Sequence, residues 1–335
     1  MMGSKFNLDR ILKVVESTEK SVITVFGDYC LDEYVYSKPS KDELSLETGL
    51  LAYQINETAA YPGIGGTITN NLRSLGVNVI CVGISGDDGH GYELRRALNQ
   101  IGADTSLMIV TNLVMTNTYM KPMRGETKET CAEINRLDFR SFETTPSVLE
   151  NLLLVNLEKA LQKSQGVIIS DQYLQRNCSA ITDRVRSGIA DLALKYKDIF
   201  FFADSRGFIS EFKNVIQKCN EHEIEKALLD KNQNDDVVRF VTMGEKGIMV
   251  YKGHEQTHIP SFKAVPPFDF CGAGDATNAG IMLGLTRGLN NDEAALLGAC
   301  IASITIEQIG VTGTATKEQV KKRLHENMDL FITEK

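Results

Sequence analysis

The chain has 335 residues, of which 42% are hydrophobic and 24% are charged. A chain of this length can bury roughly three quarters of the surface that its unfolded form exposes, so the composition excludes a disordered protein and favours a large core. The 44 acidic residues outnumber the 36 Lys and Arg residues and give a net charge of −8, which argues against a nucleic-acid binder, because such a protein needs a basic face.

The sequence also bears on cellular location. No apolar run approaches the ~18 residues that a membrane span requires. The first residues, MMGSKFNLDR, lack the apolar stretch of a signal peptide. The seven cysteines are scattered and none forms a CxxC pair, which excludes zinc knuckles and dithiol redox motifs. We therefore expect a cytoplasmic protein with reduced thiols and with neither nucleic acid nor membrane as a partner.

Buried strands and amphipathic helices alternate along the chain. The first strand, over residues 21–26, is a β-branched run typical of a strand that is covered on both faces. Further strands are predicted over 77–83, 166–170, 199–203, 237–242 and 247–251, and helices over 68–76, 93–101, 148–162, 179–195, 272–285 and 292–308. This alternation indicates right-handed βαβ units and an α/β fold with a doubly wound sheet.

Four shorter segments interrupt this rhythm. Residues 29–36, 50–55, 117–123 and 130–134 alternate apolar and polar side chains, which is typical of half-exposed strands. We expect them to form a small β-sheet lid, inserted at about 29–56 and 115–136. No repeat or linker divides the chain, so we expect one domain over residues 1–335.

The most informative motif is DFCGAGD, over residues 269–275, at the start of a predicted helix. Its two glycines let the backbone turn tightly, so that successive N–H groups point at one place where the helix N-terminus adds partial positive charge. Gly272, Ala273 and Gly274 therefore predict an anion-binding nest, with Asp275 beside it. The alternative is that Asp275 only caps the helix after a glycine-rich turn.

Two further motifs are weaker when taken alone. TMGEKG, over residues 242–247, joins a strand to its neighbour through Gly244 and Gly247, which either admits a ligand or makes a tight hairpin. NEHE, over residues 220–223, places Asn220 and Glu223 on one side of a helical turn. Its alternative role is to cap a helix N-terminus.

A third glycine motif, GIGGT over residues 63–67, either lets a substrate approach the backbone or starts a helix. Several rival motifs do not occur. The sequence contains no GxxxxGK[ST], no complete dinucleotide fingerprint and no GxSxG, which excludes Walker-type loops and weakens a hydrolase hypothesis. His254 and His258 are four residues apart in a strand-like segment, and a pair of ligands in such an element rarely forms a metal site.

Taken in order, these motifs resemble those of the PfkB (ribokinase-like) family of sugar kinases, over about residues 22–316. The family's DTxGAGD signature stands here as DFCGAGD, with Phe270 in place of threonine. The N-terminal signature resembles GISGDD at residues 83–88. The NxxE motif falls on Asn220 and Glu223, and the TxGxxG motif on Thr242, Gly244 and Gly247. The resemblance implies a ribokinase-like three-layer α/β/α fold with a β-sheet lid.

Within the family, the motifs are most similar to those of heptose-7-phosphate kinases of the ADP-heptose pathway. GDYCLD at residues 27–32 looks like their GDxxLD, and RLDF at residues 136–139 matches their RLDF. Two positions depart from the family pattern. Thr67 stands in place of an asparagine in the substrate loop, and Ala299 in place of an asparagine often found near the nucleotide.

The resemblance implies ATP-dependent phosphorylation of a sugar or sugar-phosphate hydroxyl, with Mg²⁺ as cofactor. Asp275 is expected to take the proton from the acceptor hydroxyl, and the nest at Gly272, Ala273 and Gly274 to stabilise the transferred phosphoryl group. We expect Glu223 to act on Mg²⁺ through water. The expected sugar-binding residues are Asp28, Asp32, Gly65, Gly66, Thr67 and Arg136, and the nucleotide-binding residues are Thr242, Gly244, Gly247 and Asn220.

Two alternatives stay open at this point: a nucleoside kinase of the same fold, and a sugar or nucleotide sensor that has no turnover. The retained Asp275 argues against the sensor. The lid is also expected to carry apolar residues on its outer face and to leave strand edges unpaired. Because proteins usually cover such surfaces, we expect a homodimer formed through the lid.

Overall fold

A nine-stranded sheet forms the body of the protein in the computed structural model, which describes residues 6–127, 129–228 and 237–327. A five-stranded sheet and a two-stranded hairpin lie outside it. The strands in chain order are β1 (Val22–Gly27), β2 (Tyr29–Ser37), β3 (Glu43–Leu44), β4 (Leu51–Ala52), β5 (Ile55–Ile64), β6 (Asn78–Gly86), β7 (Ile109–Thr111), β8 (Thr118–Arg124), β9 (Ala132–Glu133), β10 (Leu137–Phe139), β11 (Gly166–Asp171), β12 (Phe200–Ser205), β13 (Ile216–Asn220), β14 (Arg239–Thr242), β15 (Ile248–Lys252) and β16 (Glu255–Ile259).

Helices connect most of these strands. They are α1 (Leu8–Glu16), α2 (Gly65–Ser74), α3 (Gly89–Gln100), α4 (Ser147–Leu161), α5 (Asp183–Lys195), α6 (Glu221–Leu228), α7 (Ala273–Thr286), α8 (Asn291–Thr305) and α9 (Lys317–Glu326). No helix in the described ranges has both the length and the apolar character needed to cross a bilayer.

The large sheet has the order β16-β15-β14-β13-β12-β11-β1-β6-β7. Its strands pair in parallel from β7 to β14, whereas β15 and β16 are antiparallel additions. The chain runs outward from β1 through β6 to β7 and then returns to the other side of β1 at β11. Ligands of open α/β sheets bind beyond the carboxyl ends of the strands near such a reversal.

The strand side chains alternate between two cores. Ile23 and Val25 of β1 belong to a cluster with α1, α2, α3, α7, α8 and α9, whereas Phe26 belongs to a second cluster with α4 and α5. Strands covered by helices on both faces are continuously apolar, which explains the runs seen in the sequence. The predicted three-layer α/β/α arrangement is therefore confirmed.

Small residues set the position of α7, the helix that begins at the DFCGAGD motif. A Cβ on Gly280 of α7 would lie 2.7 Å from the Cα of Gly298 in α8. A Cβ on Gly284 would lie 3.0 Å from the Cα of Ala294, about one turn away on the same helix face. These close contacts bring α7 and α8 together side by side, so that the N-terminus of α7 is fixed against the sheet.

The lid is the five-stranded sheet, in which β2 pairs antiparallel with β5 and parallel with β8, while β10 and β9 pair with β8. Two of the predicted lid strands were wrong in position. Residues 51–52 lie in the β3–β4 hairpin, and the strand that pairs with β2 is instead Ile55–Ile64. Of residues 130–134 only Ala132–Glu133 form a strand. The sequence signal was weak there because Ala, Gly and Pro in β5 blur the apolar alternation.

Several elements were missed or shortened by the sequence prediction. The prediction missed the helices α1, α6 and α9 and the strands β3, β7, β10, β13 and β16. Helix α3 begins at Gly89, four residues earlier than predicted, because the Asp88 side chain accepts a hydrogen bond from the Gly91 N–H at 2.7 Å and caps it. Helix α5 begins at Asp183 rather than 179, since Thr182 is its cap.

Candidate active site

The carboxyl ends of the central strands form one polar edge. Asp171 ends β11, Asp204 lies near the end of β12, and Asn220 ends β13. Parallel strands bring such residues to the same side of a sheet although they are far apart in sequence. The N-terminus of α7 faces this edge, because Gly274 lies against Lys218 of β13.

The predicted nest is formed by the turn into α7. Gly272 is the N-cap residue with φ of 79°, in the left-handed region that favours glycine. The first N–H groups of a helix lack partners within the helix and can bind an anion. The Ala273 N–H is the exception here, since it donates to the Phe270 carbonyl at 3.2 Å. Asp269 supports the turn by accepting from the Cys271 N–H and the Gly310 N–H, each at 3.0 Å.

Asp275 lies in the first turn of α7, beside the nest. Burial raises the pKa of its carboxyl to about 7, and the neighbouring charge of Asp204 adds to this, whereas Lys218 and Arg206 oppose it. A general base is most effective when its pKa is near the working pH. The environment of Asp275 therefore suits proton transfer near neutral pH.

A buried polar cluster lies below the first turns of α7, and sequence reasoning missed it. Lys218 Nζ lies 3.0 Å from Asp204 Oδ2, and each side chain is only 7% exposed. Asn278 Nδ2 donates to the same oxygen at 2.6 Å. Burial disfavours the charged form of Lys218, but the Asp204 carboxylate outweighs it and raises the pKa of the lysine.

The NxxE motif adopts the capping geometry that was its alternative. The Asn220 N–H donates to Glu223 Oε2 at 2.8 Å, and the Glu223 N–H donates to Asn220 Oδ1 at 3.0 Å. Together they start α6. This reciprocal pair uses one carboxylate oxygen of Glu223, whose pKa is raised by burial and by Asp204. The predicted role of Glu223 at a metal stays a prediction.

A cavity of about 560 Å³ opens beside the nest. Gly247 has φ of 94°, and a Cβ there would lie 2.1 Å from the Ile259 carbonyl oxygen, so the hairpin requires glycine. Asn220 lies next to this wall, because it is in register with Thr242. The three residues of the TxGxxG motif, Thr242, Gly244 and Gly247, line the cavity. So do the aromatic residues Phe268 and Phe270, together with Ala299, which stands where the family often has an asparagine.

The inner face of the lid carries the second set of predicted residues. Asp32 pairs with Lys121 at 3.0 Å, and Lys121 donates to the Tyr34 hydroxyl at 3.0 Å. Asp32 contributes to the raised pKa of Asp275, so this face lies opposite the start of α7. Partial burial raises the pKa of the Cys271 thiol in the DFCGAGD motif, and the charge of Asp32 adds to this, whereas Lys121 opposes it.

Arg136 is half exposed at the rim of the same face. Its guanidinium donates to both carboxylate oxygens of Asp138, at 2.6 and 2.7 Å, and lies over the Tyr119 ring at 4.5 Å. Tyr119 is directly opposite Asp32 in the β2–β8 register. Arg136, Tyr119 and Asp32 therefore follow one surface of the lid.

Asp28 has a different environment from the other predicted sugar ligands. It is buried, and its carboxylate accepts hydrogen bonds from the Gln172 N–H at 2.8 Å and the Ala180 N–H at 3.1 Å. Burial raises its pKa, and these backbone donors oppose the shift. The carboxylate thus holds together the segments that follow β1 and β11.

The GIGGT segment begins α2 close to the nest. Ile64 has φ of 57°, a strained conformation for a β-branched residue. Gly65 and Gly66 allow close packing, since their Cβ positions would lie 2.8 Å from the Asp28 carbonyl oxygen and 2.4 Å from Pro62 Cβ. Thr67 is buried against Gly272.

The family profile described as pfkB family carbohydrate kinase matches residues 37–318. The chain belongs to this family. It is therefore a phosphotransferase that acts on an alcohol group, and the resemblance inferred from the motifs is confirmed. Among curated proteins it is 25% identical, over 92% of its own length, to the bifunctional protein HldE of Aliarcobacter butzleri, and it covers 66% of that protein. The chain thus spans just under two thirds of the length of this relative.

Solved structures show the same fold. The nucleoside kinase of Methanocaldococcus jannaschii, an archaeal member of the ribokinase family, superposes with a TM-score of 0.63 at 21% identity, covering 93% of this chain and all of that one. The ribokinase of Arabidopsis thaliana, solved with ribose and ATP, has a TM-score of 0.66 at 17% identity, covering 91% and 99% of the two chains. The ribokinase-like fold predicted from the sequence is confirmed.

Proposed function

We propose that the protein transfers the γ-phosphoryl group of ATP to a hydroxyl of a sugar or sugar phosphate. The observation that carries the proposal is the position of Asp275. It lies beside the nest that starts α7, next to the 560 Å³ cavity. Across from it is the polar lid face with Asp32. A donor in the cavity and an acceptor under the lid would meet at this carboxylate.

The proposed reaction follows from these positions. Asp275 takes the proton of the acceptor hydroxyl while the oxygen of that hydroxyl forms a bond to the γ-phosphorus. The bond from that phosphorus to the bridging oxygen of ATP breaks, and ADP leaves with the electron pair. Charge spread over the phosphoryl oxygens is stabilised by the N–H groups at the nest, which are already oriented. Closure of the lid excludes water, which would otherwise compete as acceptor.

Mg²⁺ is the proposed cofactor. Among the described residues no group of three or more His, Cys, Asp or Glu side chains could hold a metal alone. Mg²⁺ itself keeps several waters and binds through one or two carboxylates together with substrate phosphates. Glu223 is the proposed water-mediated ligand, and when bound the ion would neutralise phosphate charge.

For the acceptor we propose a phosphorylated sugar of the heptose-7-phosphate type. The RLDF and GDxxLD motifs support this, and so does the match to HldE. The lid adds two cations, Lys121 and Arg136, on the face that carries Asp32. Cations beside hydroxyl and carboxylate groups suit a ligand that has both hydroxyls and a phosphate.

The test is ADP release with ATP and a panel of free sugars, sugar phosphates and nucleosides. We expect turnover with a phosphorylated heptose and little with nucleosides. Turnover with nucleosides instead would assign the chain to the nucleoside kinases. Nucleotide binding without turnover of any acceptor would support a sensor.

We also propose a single domain over residues 1–335 and a homodimer formed through the lid. Large apolar side chains are exposed on the β3–β4 hairpin and the lid edges, among them Leu44, Leu50, Leu51 and Leu137. Exposed apolar surface of this kind is typical of an interface. Light scattering at micromolar concentration should give twice the chain mass of 37.1 kDa, and a monomer would contradict the proposal.

A further inference from the structure

Lys218 is a buried cation in direct contact with the nest. A Cβ placed on Gly274 would lie 3.1 Å from Lys218 Nζ. The ammonium group is therefore held against the backbone of the first turn of α7, on the side of the polar sheet edge. A lysine is rarely buried this fully unless its charge is paired.

The pairing of Lys218 leaves part of its donor capacity available. An ammonium group has three N–H donors, and Asp204 Oδ2 is its acceptor at 3.0 Å. Within the described ranges, no second acceptor for Nζ lies within hydrogen-bonding distance. The same oxygen of Asp204 already accepts from Asn278, and Asn278 Oδ1 is buried without a partner in the described part of the chain.

Asp204, which is itself held by Asn278, thus fixes the position of Lys218 but does not provide acceptors for all three N–H donors of its ammonium group. The charge is preorganised, because both side chains of the ion pair are buried and have little freedom to turn away. A phosphoryl group seated on the N–H groups of the nest would supply the missing acceptors and bring negative charge to a place of low dielectric, where ion pairs are strong.

We propose that Lys218 contacts the terminal phosphate of the bound nucleotide through the opening left by Gly274, and that it stabilises this group during transfer. This inference rests on the proposed function in assuming a nucleoside triphosphate in the cavity. It assigns a catalytic cation to a residue outside the motifs. Asp204 is the positioning residue that holds the lysine in place.

Binding of adenosine, AMP, ADP and ATP, measured by calorimetry without an acceptor sugar, tests the proposal. Lys218→Met is expected to leave adenosine binding unchanged and to weaken ATP binding roughly 10- to 100-fold, as expected for a lost charge-assisted hydrogen bond. The loss should grow with the number of phosphates. Lys195→Met, at an exposed lysine of α5 paired with Glu158, is the matched control.

Removing the lysine alone leaves the buried Asp204 carboxylate with only its hydrogen bond from Asn278 and without an opposite charge, which can prevent folding and can itself repel phosphate. The double variant Lys218→Gln/Asp204→Asn replaces the ion pair by an amide pair and removes both problems. It should still lose ATP affinity in the phosphate-dependent order. An equal loss for adenosine and ATP, or no loss, would overturn the proposal.

The experiment separates this inference from the proposed function. If no acceptor sugar is found, a phosphate-dependent loss in the variants still supports a cation at the nest. If a sugar is phosphorylated at unchanged rate by the double variant, the kinase activity stands and the role of Lys218 is disproved.

Discussion

Gly272 and Thr67 face each other across the start of two helices: a Cβ at Gly272 would lie only 3.0 Å from Thr67 Cγ2. Gly272 caps α7 and forms the nest, and Thr67 lies in the first turn of α2, in the GIGGT segment. The proposed phosphate site and sugar site therefore share a wall. A substitution at either residue should therefore affect both the phosphate site and the sugar site.

Gly272→Ala tests this contact. An alanine at φ of 79° is strained by about 1–2 kcal/mol, and its methyl group would also press on Thr67. We expect kcat/KM to fall by at least about tenfold, because the nest N–H groups would move from the positions that stabilise the phosphoryl group. Steady-state kinetics with both substrates varied is the measurement.

Gly288→Ala provides the matched control at the other end of α7. Gly288 has φ of 85°, and its Cβ position has nothing within 4 Å. Its substitution should lower the melting temperature to a similar extent while leaving kcat/KM unchanged. Equal effects of the two substitutions on kcat/KM would show that Gly272 matters only for stability.

The sequence was sufficient to predict those parts of the site whose residues are close together along the chain. The nest and Asp275 lie within seven consecutive residues, so one motif carried both. Asn220 and Glu223 were identified by spacing, but spacing does not separate capping from metal binding, and the structure shows the cap. The strand runs likewise gave the α/β fold, because buried parallel strands are apolar on both faces.

The parts that depend on distant pairing were not predictable in this way. Asp204, Lys218 and Asn278 come from three separate elements and meet only in the folded sheet. Each one alone resembles an ordinary polar residue near a strand end or within a helix. The lid strands were misplaced for a related reason, since β5 is specified by its pairing with β2 more than by its own alternation.

Asp32→Ala should weaken the binding of the acceptor sugar much more than the binding of ATP. The substitution removes a carboxylate that faces the lid interior and leaves Lys121 without the opposite charge that lies 3.0 Å from it, although its hydrogen bond to the Tyr34 hydroxyl remains. Each charge-assisted hydrogen bond lost is worth about 1.5–3 kcal/mol. We expect KM for the sugar to rise at least tenfold and KM for ATP to stay within a factor of about two.

A second lid ion pair gives the control for Asp32. Asp42 binds Arg124 through two hydrogen bonds, and Asp42 lies beyond the end of β2, outside the set of predicted sugar ligands. Asp42→Ala should lower stability without a selective change in KM for the sugar. If Asp32→Ala raises both KM values equally, its role is structural.

Phe270→Ala should weaken the binding of ATP. This side chain is 70% exposed, lines the cavity beside the nest and lies 5.9 Å from the Phe268 ring, measured between centroids. An exposed aromatic pair at a nucleotide cavity offers a stacking surface, which is worth about 1–3 kcal/mol per base. KM for ATP should rise by at least fivefold, with KM for the sugar unchanged.

The exposed Phe142, which packs on Arg140, supplies the comparison for Phe270. Phe142→Ala removes an equal ring from a surface outside the cavity and should leave KM for ATP unchanged. Phe270→Tyr retains the ring and should restore most of the affinity for ATP. Normal ATP binding by Phe270→Ala would exclude the stacking role.

Asp275→Asn should abolish most of the activity and yet stabilise the protein at high pH. Loss of a positioned base costs about 10²–10⁴-fold in rate.

The pKa of Asp275 is raised from 3.8 to about 7 in the folded chain. Between these values the folded state holds a proton that the unfolded state has lost, so the stability of the wild type declines as pH rises from about 4 to 7. Asparagine does not ionise, so without ligands the melting temperature of the variant should exceed that of the wild type at pH 8, and the gap should close near pH 4. Asp191→Asn, on the exposed surface of α5, is the control for the substitution itself and should leave turnover unchanged. A gap that is independent of pH would contradict the raised pKa, and near-normal turnover would contradict the role as base.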